Sequence, residues 1–588
     1  MEKLNDTRGR GAERLSLLAV LVLTLAMVVW LSGYVQRNAA YPFDSDEGLH
    51  AFDALRVSAH LRDGDPLGAL DDSLRQSFYP PVHAWLLGIV LSLASTTRAN
   101  ARLFSLALYA LDVVLLYALG RWLARNTRCP WLAGLMAALL ALASPPIWVI
   151  GSLVYLEVTG VMFVLATFWG YWQGVAATPE GKSKWGWLVA GLAIVAATLT
   201  KYPYGPFLML PLAVAIVVQA LPTLRRPGLP SQGLGGLVER LVLLVLPSVA
   251  VMLVWVVVPV TRNGLANYIA ATEELAQAAQ PSFFAHLAFY LKGVWLQFSP
   301  SPLIAVGLAA AFLLSLVRWR DDALWPLALF FAWHLVGIST HGGLAPRFLI
   351  TAIPALWLMG GVWAARTADA WPRWIASLPS GGKWAARIAM WAAIIVLTVT
   401  SVLGLAWRVT LYPTLYVLSL ETDARAEELY RWTAEQIPSG PASIGLVNDW
   451  DQMSGPALGW ELTTRRASDG APRRADLVTV WEMHRLPEPT SENLAALRDQ
   501  MNARRLNVMV AYTAPGAGIK RLQGAITILG DKARLLSERD FPLRWYWPDK
   551  VEFPLYDGEP LDQEQLQAAL DQLGTERSQT VHVYAYTP

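Results

Sequence analysis

From residue 15 to about residue 410 the chain is a succession of apolar runs, each close to the length that a lipid bilayer demands. A spanning helix needs about 20 mainly apolar residues. Runs of that kind lie near 15–36, 101–122, 131–149, 153–173, 186–200, 202–220, 241–261, 301–317, 323–340, 347–364 and 388–410. Charged residues make up 16% of the chain, against roughly 25% in soluble domains. Many of the 27 tryptophans, among them Trp30, Trp122, Trp185 and Trp319, stand near the ends of apolar runs, where aromatic belts form at membrane interfaces. The fold class expected is a polytopic α-helical membrane protein with about eleven spans, and room for up to about thirteen. After about residue 420 the composition becomes that of a soluble α/β domain.

One further apolar stretch, 80–95, decides the orientation. If it lies along the interface as an amphipathic helix, the N-terminus is cytoplasmic and every inside joint is basic. These joints carry Arg121, Arg125 and Arg128; Lys182 and Lys184; Arg225, Arg226 and Arg240; Arg318 and Arg320; and Arg366, Arg373, Lys383 and Arg387. If 80–95 spans, the positive-inside rule fails at joint after joint. The expected layout is therefore a cytoplasmic tail (1–14), a transmembrane domain (15–410) and an extracytoplasmic α/β domain (411–588) in a plasma or inner membrane. "MEKLNDTRGRGAER" with the run behind it reads as a retained signal anchor.

Three features then fall outside. They are a loop over 37–100 with juxtamembrane helices, a 262–290 loop in which "NYIAATEELAQAAQ" reads as a short amphipathic helix, and the tail. In the tail, "ARAEELYRWTAEQI" and "ENLAALRDQMNARR" have helical period, and "ASIGLVN", "DLVTVWE", "LNVMVAY" and "TVHVYAY" read as strands of a small, partly parallel sheet. "NDWDQMSG" and "WYWPDK" offer side chains that suit sugars and equally suit ordinary loops. A net charge of +2 implies no nucleic-acid surface. The single Cys129 excludes an internal disulfide and a cysteine metal cluster, and there is no P-loop or G-x-G-x-x-G.

Ionisable groups near membrane depth are functional candidates by default. On the outer side these are Asp44, Asp46 and Glu47 in "PFDSDEGLHAF", Glu157 in "SLVYLEVTG", Lys201 in "LTKYPYGP", and His341 and Arg347 in "THGGLAPRFL". Carboxylates suit a general base on a hydroxyl or amine. Lys and Arg suit an anionic leaving group, Arg by two parallel hydrogen bonds. Together they describe transfer from a phosphorylated lipid carrier. Singly, each has a plainer account: Asp46 and Glu47 as a helix cap, Glu157 as a paired structural acid, Lys201 and Arg347 as snorkelling cations, and His83 and His334 as packing or helix-to-helix hydrogen bonds.

With those residues in order, the chain resembles the GT-C glycosyltransferases of the protein O-mannosyltransferase and aminoarabinose lipid A transferase superfamily. The matching pieces are Asp46-Glu47, "YPPVHAWLLG", Arg102 in "ARLFSLAL", "LASPP" followed by Glu157, "TLTKYPYGP" and "APRFLITAIPALWL". Glu157 stands where many members carry Asp after an Arg, and Tyr202 stands where Gly is usual. The resemblance implies inverting transfer of a sugar from a polyprenyl-phosphate donor to an extracytoplasmic lipid, glycan or protein. It implies Asp46 as base and Glu47 as its orienting partner in catalysis. Lys201, Arg347, Glu157, His83, Arg102 and His341 would bind the substrate and the donor phosphate. No metal ligands and no cofactor are expected, the lipid-linked sugar being a substrate. A transporter of lipid-linked sugars would use the same charges, but no inverted halves are visible. An envelope scaffold would need far fewer spans.

Overall fold

The computed structural model describes residues 2–587 apart from 38, 40–41, 44, 75–77, 177–182, 225–229, 280–281, 319–322, 342–344, 422–423, 439–442, 449–453, 468–469, 484–490, 514–521, 524–525, 528 and 545–575. Asp44, Lys182, Arg225, Arg226, Arg320, "WYWPDK" and most of "NDWDQMSG" lie outside the described residues.

The chain opens with α1 (Glu2–Arg37), so the segment 1–14 continues the first span helix rather than standing apart from it. Four short-loop connections then give α2 (Ser45–Arg62), α3 (Pro66–Leu74), α4 (Val82–Leu93) and α5 (Arg98–Leu123). With 12 residues, α4 reaches about 18 Å, short of the roughly 30 Å hydrocarbon core. It buries His83, Ala84, Leu87 and Leu91 instead.

The expected 131–149 span is broken. It forms α6 (Pro130–Leu142) and α7 (Pro145–Gly151), bent by 69°. Pro145 and Pro146 supply no N–H for a helix crossing that point, and Ser144 before them is extended (φ −104°, ψ 102°). The bundle continues through α8 (Leu156–Ala176), α9 (Ser183–Thr198), α10 (Tyr204–Leu224) and α11 (Pro230–Val257). Pro259 starts α12 (Pro259–Ala279), which contains the amphipathic stretch read from the sequence, and α13 (Phe283–Leu296) follows as a further apolar helix. Next come α14 (Pro302–Val317), α15 (Trp325–Ser339), α16 (Ile353–Ser377) and α17 (Ser380–Glu421). Arg347 is not the first residue of a span helix as expected. It sits in a 3-10 turn, Pro346–Leu349, ahead of α16, with proline both opening the turn and beginning the helix.

Among the described residues, five helices are long and apolar enough to cross a membrane by length and composition, or six if the bent pair is one span. Five shorter apolar helices pack among them. The protein is a multi-pass, mainly helical membrane protein. Basic residues gather at one end, where Arg121 pairs with Glu13 at 2.5 Å, Arg128 with Asp369 at 3.2 Å and Lys184 with Glu239 at 2.5 Å.

At the opposite end stand α18 (Ala424–Gln436), β1 (Ser443–Asn448), α19 (Gly455–Arg466), β2 (Thr479–Met483), α20 (Ser491–Ala503), β3 (Val508–Thr513), β4 (Ala533–Arg544) and β5 (Glu576–Tyr586). The sheet order is β2-β1-β3-β5-β4. β1 pairs in parallel with β2 and β3, while β5 is antiparallel to β3 and β4. All four strands read from the sequence are present. β4 and α19 are additions. One face of the sheet (Ile444, Leu446, Val510) shares a single apolar core with Phe43, Phe52, Leu55, Leu458 and Trp460, so α2 and the sheet are packed together.

Candidate functional site

The site forms where the ends of five elements converge. α2 begins with Asp46 and Glu47 in its first turn, where the unpaired N–H groups and the helix dipole favour carboxylates. Successive helical residues point about 100° apart, so these two acids face different walls.

Glu47 faces inward. Arg102 of α5 grips it with Nε on Oε1 at 2.7 Å and Nη2 on Oε2 at 2.8 Å. The Val154 N–H adds a third bond to Oε1 at 3.1 Å. Both side chains are 1% exposed.

Asp46 faces the opening. Its Oδ2 accepts a 2.5 Å bond from Arg347 Nη2, and 31% of its side chain remains exposed. Burial pushes the Asp46 carboxyl up, but the charge and hydrogen bond of Arg347, with the Lys201 charge, hold the group below the usual carboxylate range. Asp46 is therefore ionised at neutral pH.

Arg347 lies over the Tyr155 ring at 4.9 Å, and the adjoining Phe348 ring carries the Lys201 ammonium at 4.9 Å. Lys201 sits in the turn between α9 and α10 and also faces the rings of Tyr204 at 5.8 Å and Tyr79 at 5.9 Å. Its Nζ is 3.2 Å from Glu157 Oε1, in the first turn of α8. Glu157 Oε2 is buried and has no hydrogen-bond partner among the described residues. Asp46, Arg347, Lys201 and Glu157 thus form one contiguous cluster bridged by Phe348. Arg102 pairs with Glu47, the chain neighbour of Asp46.

His83 lies behind the cluster, its Nδ1 2.7 Å from Thr159 Oγ1 on α8, and burial drives its imidazole down to about 3. His341 flanks it with its ring 5.0 Å from that of Phe348. His334 bonds the Phe348 carbonyl from Nε2 at 2.9 Å, anchoring the turn that carries Arg347.

The sequence expectations omit His50, Tyr79, Tyr155 and Phe348. His50 follows Asp46 by one helical turn. Its ring is 4.9 Å from Tyr79 and 5.7 Å from His83. Burial first, then the neighbouring His83, Lys201 and Arg347, hold it neutral despite Asp46. Burial, then the Asp46 charge, keeps the Tyr79 hydroxyl protonated. Each of these residues sits four or fewer positions from a charge or a proline pair already singled out, and that adjacency is the signal.

Residues 79–255 match the family model for dolichyl-phosphate-mannose-protein mannosyltransferase. The chain is similar in structure to ArnT from Cupriavidus metallidurans bound to undecaprenyl phosphate, at 17% identity over 88% of this chain and 96% of that one, with a TM-score of 0.53. The chain has the GT-C fold. The same GT-C fold is found in apo ArnT (15% identity, 95% and 97% covered, TM-score 0.52). It is found again in an Archaeoglobus fulgidus oligosaccharyltransferase solved with Zn and sulfate (11% identity, 97% and 88% covered, TM-score 0.50). No curated protein matches by sequence. Within this GT-C bundle the matched segment carries His83, Arg102, Glu157 and Lys201, while Asp46, Glu47 and Arg347 lie outside it.

Arg347 engages Asp46 and Arg102 engages Glu47, and among the described residues no three His, Cys, Asp or Glu side chains stand together to hold an ion.

Proposed function

We propose that the chain is an integral-membrane glycosyltransferase that moves a sugar from a polyprenyl-phosphate donor to an extracytoplasmic acceptor, with inversion. The observation that carries this reading is an ionised, part-open carboxylate paired to one of two adjacent cations, Arg347 and Lys201. ArnT, with the same fold, holds undecaprenyl phosphate.

In this mechanism Asp46 takes the proton from an acceptor hydroxyl or amine as that atom attacks the anomeric carbon. The bond from that carbon to the phosphate oxygen breaks, and the electron pair leaves on the polyprenyl phosphate. Lys201 and Arg347 offset the growing charge at the phosphate. One displacement on the face opposite the phosphate inverts the centre. Glu157 Oε2, buried and available, accepts a hydrogen bond from a sugar or acceptor hydroxyl. Glu47 works through Arg102 to hold the start of α2 and is a positioning residue. No metal takes part.

The cluster would face away from the cytoplasm, with the N-terminus inside and residues 411–588 outside as a domain that meets the acceptor. The test is transfer by the purified chain with a panel of polyprenyl-phosphate sugars, wild type against Asp46→Asn. Full activity in Asp46→Asn would remove the proposed base. Loss of wild-type transfer in chelator, restored by a divalent ion, would overturn the metal-free step.

A further inference from the structure

α19 rests on the very helix that carries Asp46, and the mechanism above makes no use of it. The approach is close at two glycines. Gly48, next to Glu47, stands where a Cβ would come 3.2 Å from both the Ala457 nitrogen and Ser454 Oγ. Gly459 of α19 meets the Phe52 ring of α2, and a Cβ there would lie 2.7 Å from the nearest ring carbon. Phe52 is itself buried, with the Arg56 guanidinium 5.9 Å above its ring. Ser454 caps α19 by accepting from the Ala457 N–H at 3.2 Å, which fixes the end facing Gly48.

A second line of contact runs to the same place. Trp460 of α19 packs edge-to-face on Phe43 at 4.9 Å. Arg102 lies over Phe43 at 5.1 Å and holds Glu47. Beside it, Arg98 of α5 bonds Glu461 of α19 at 2.5 Å and stands 3.8 Å from Glu427 of α18. At the far end of α2, the Arg474 N–H donates to Asp63 at 2.9 Å. The C-terminal segment therefore grips α2 at both ends, with close approaches at Gly48, two residues from Asp46, and at Phe52.

We propose that α19 is a positioning element of the active site, setting where the first turn of α2, and with it the Asp46 carboxylate, stands against Arg347. The proposal rests on the glycosyltransferase reading only for its kinetic readout. The Asp46–Arg347 bond is short and charge-assisted, so displacing α2 by a fraction of an ångström weakens it. Misplacing a reacting group by about 1 Å can cost on the order of 100-fold in rate.

The test uses the full chain in lipid nanodiscs and three variants: Gly459→Ala, Gly459→Ala with Phe52→Leu, and Arg98→Gln. Gly459→Ala is expected to lower kcat about tenfold or more, with donor KM within about twofold of wild type. It should also move the acid limb of the kcat profile to higher pH, because a looser Arg347 contact raises the Asp46 pKa and the carboxyl then protonates sooner on descent from neutral pH. Amide hydrogen exchange across 45–62 should quicken. Phe52→Leu removes the ring that the new methyl meets and should restore all three. Arg98→Gln should give a smaller loss of the same kind, and it decides the matter if Gly459→Ala does not fold.

Wild-type kcat, pH profile and exchange in these variants would overturn the proposal, as would a lower melting temperature with unchanged kcat per folded molecule. If the wild type transfers no sugar while exchange across 45–62 still responds and is rescued by Phe52→Leu, the function reading fails and the positioning role stands.

Discussion

Two carboxylates adjacent in sequence begin one helix and end in opposite environments. Glu47 is sealed, its two oxygens held by Arg102 and the Val154 N–H. Asp46 is also paired with an arginine, yet about a third of its side chain is open. Both are ion pairs, both join α2 to a distant element, and only the Asp46 pair is part-exposed. A buried, fully bonded pair is expensive to break and gives little net stability over an apolar replacement. Its use is to specify one arrangement of α2 against α5. An open pair costs little to disturb and leaves a carboxylate oxygen for chemistry.

The largest expected effect separates these roles. Asp46→Asn should lower sugar transfer by roughly 100- to 10,000-fold, the range for a positioned general base, with a melting temperature close to wild type. Glu47→Gln should do the reverse. It strands Arg102 in a site where both partners are 1% exposed, at a cost of about 3–5 kcal/mol in stability. A melting curve reads this directly, and the pair Glu47→Leu with Arg102→Met should recover most of the loss. A Glu47→Gln protein that melts like wild type and yet turns over no substrate would erase the distinction.

The charges of this site were legible in the sequence because ionisable residues stand out against apolar runs. Their partners were not. Glu47 and Arg102 are 55 positions apart, and Asp46 and Arg347 are 301 apart. The aromatic shell was hidden among 19 tyrosines and 17 phenylalanines that a membrane chain carries anyway. In the fold, four of five strands were readable as apolar alternation. β4 was not, because it is an edge strand whose Arg534, Glu538 and Arg539 break the pattern and whose ladder shifts register between Leu535 and Ser537. α19 carries Gly455, Pro456 and Gly459, poor helix formers, and exists through its packing on α2. The break at Pro145 was visible as residues but averaged away by thinking in 20-residue runs.

A middle-sized effect probes the open pair from its other side. Arg347→Gln should raise the donor KM by about tenfold, as expected for losing one charge-assisted bond to a phosphate. Asp46 would also lose its strongest stabilising charge. Its pKa then rises, and the acid limb of the kcat profile moves to higher pH. Stability should fall by less than for Glu47→Gln, since the Asp46 carboxylate left behind keeps 31% of its side chain exposed, against 1% for the partners of the sealed pair. An unchanged acid limb would mean that Arg347 does not tune Asp46.

A last effect, read in stability alone, concerns a third carboxylate on the same helix. Asp53 is buried, and burial raises its carboxyl to about 7 against the pull of Arg56 and with the push of Asp72. The folded state thus binds this proton more tightly than the unfolded chain, whose value is 3.8. Between those two values the folded protein carries more protons, so stability falls as pH rises through the window and levels off above it. The distance from 3.8 to about 7 sets a ceiling of roughly 4 kcal/mol. Asp53→Asn removes this dependence. Its melting temperature should match wild type most nearly at pH 4 and exceed it increasingly toward pH 8. A constant difference across that range would place Asp53 with Glu47, as an acid whose charge the fold already satisfies.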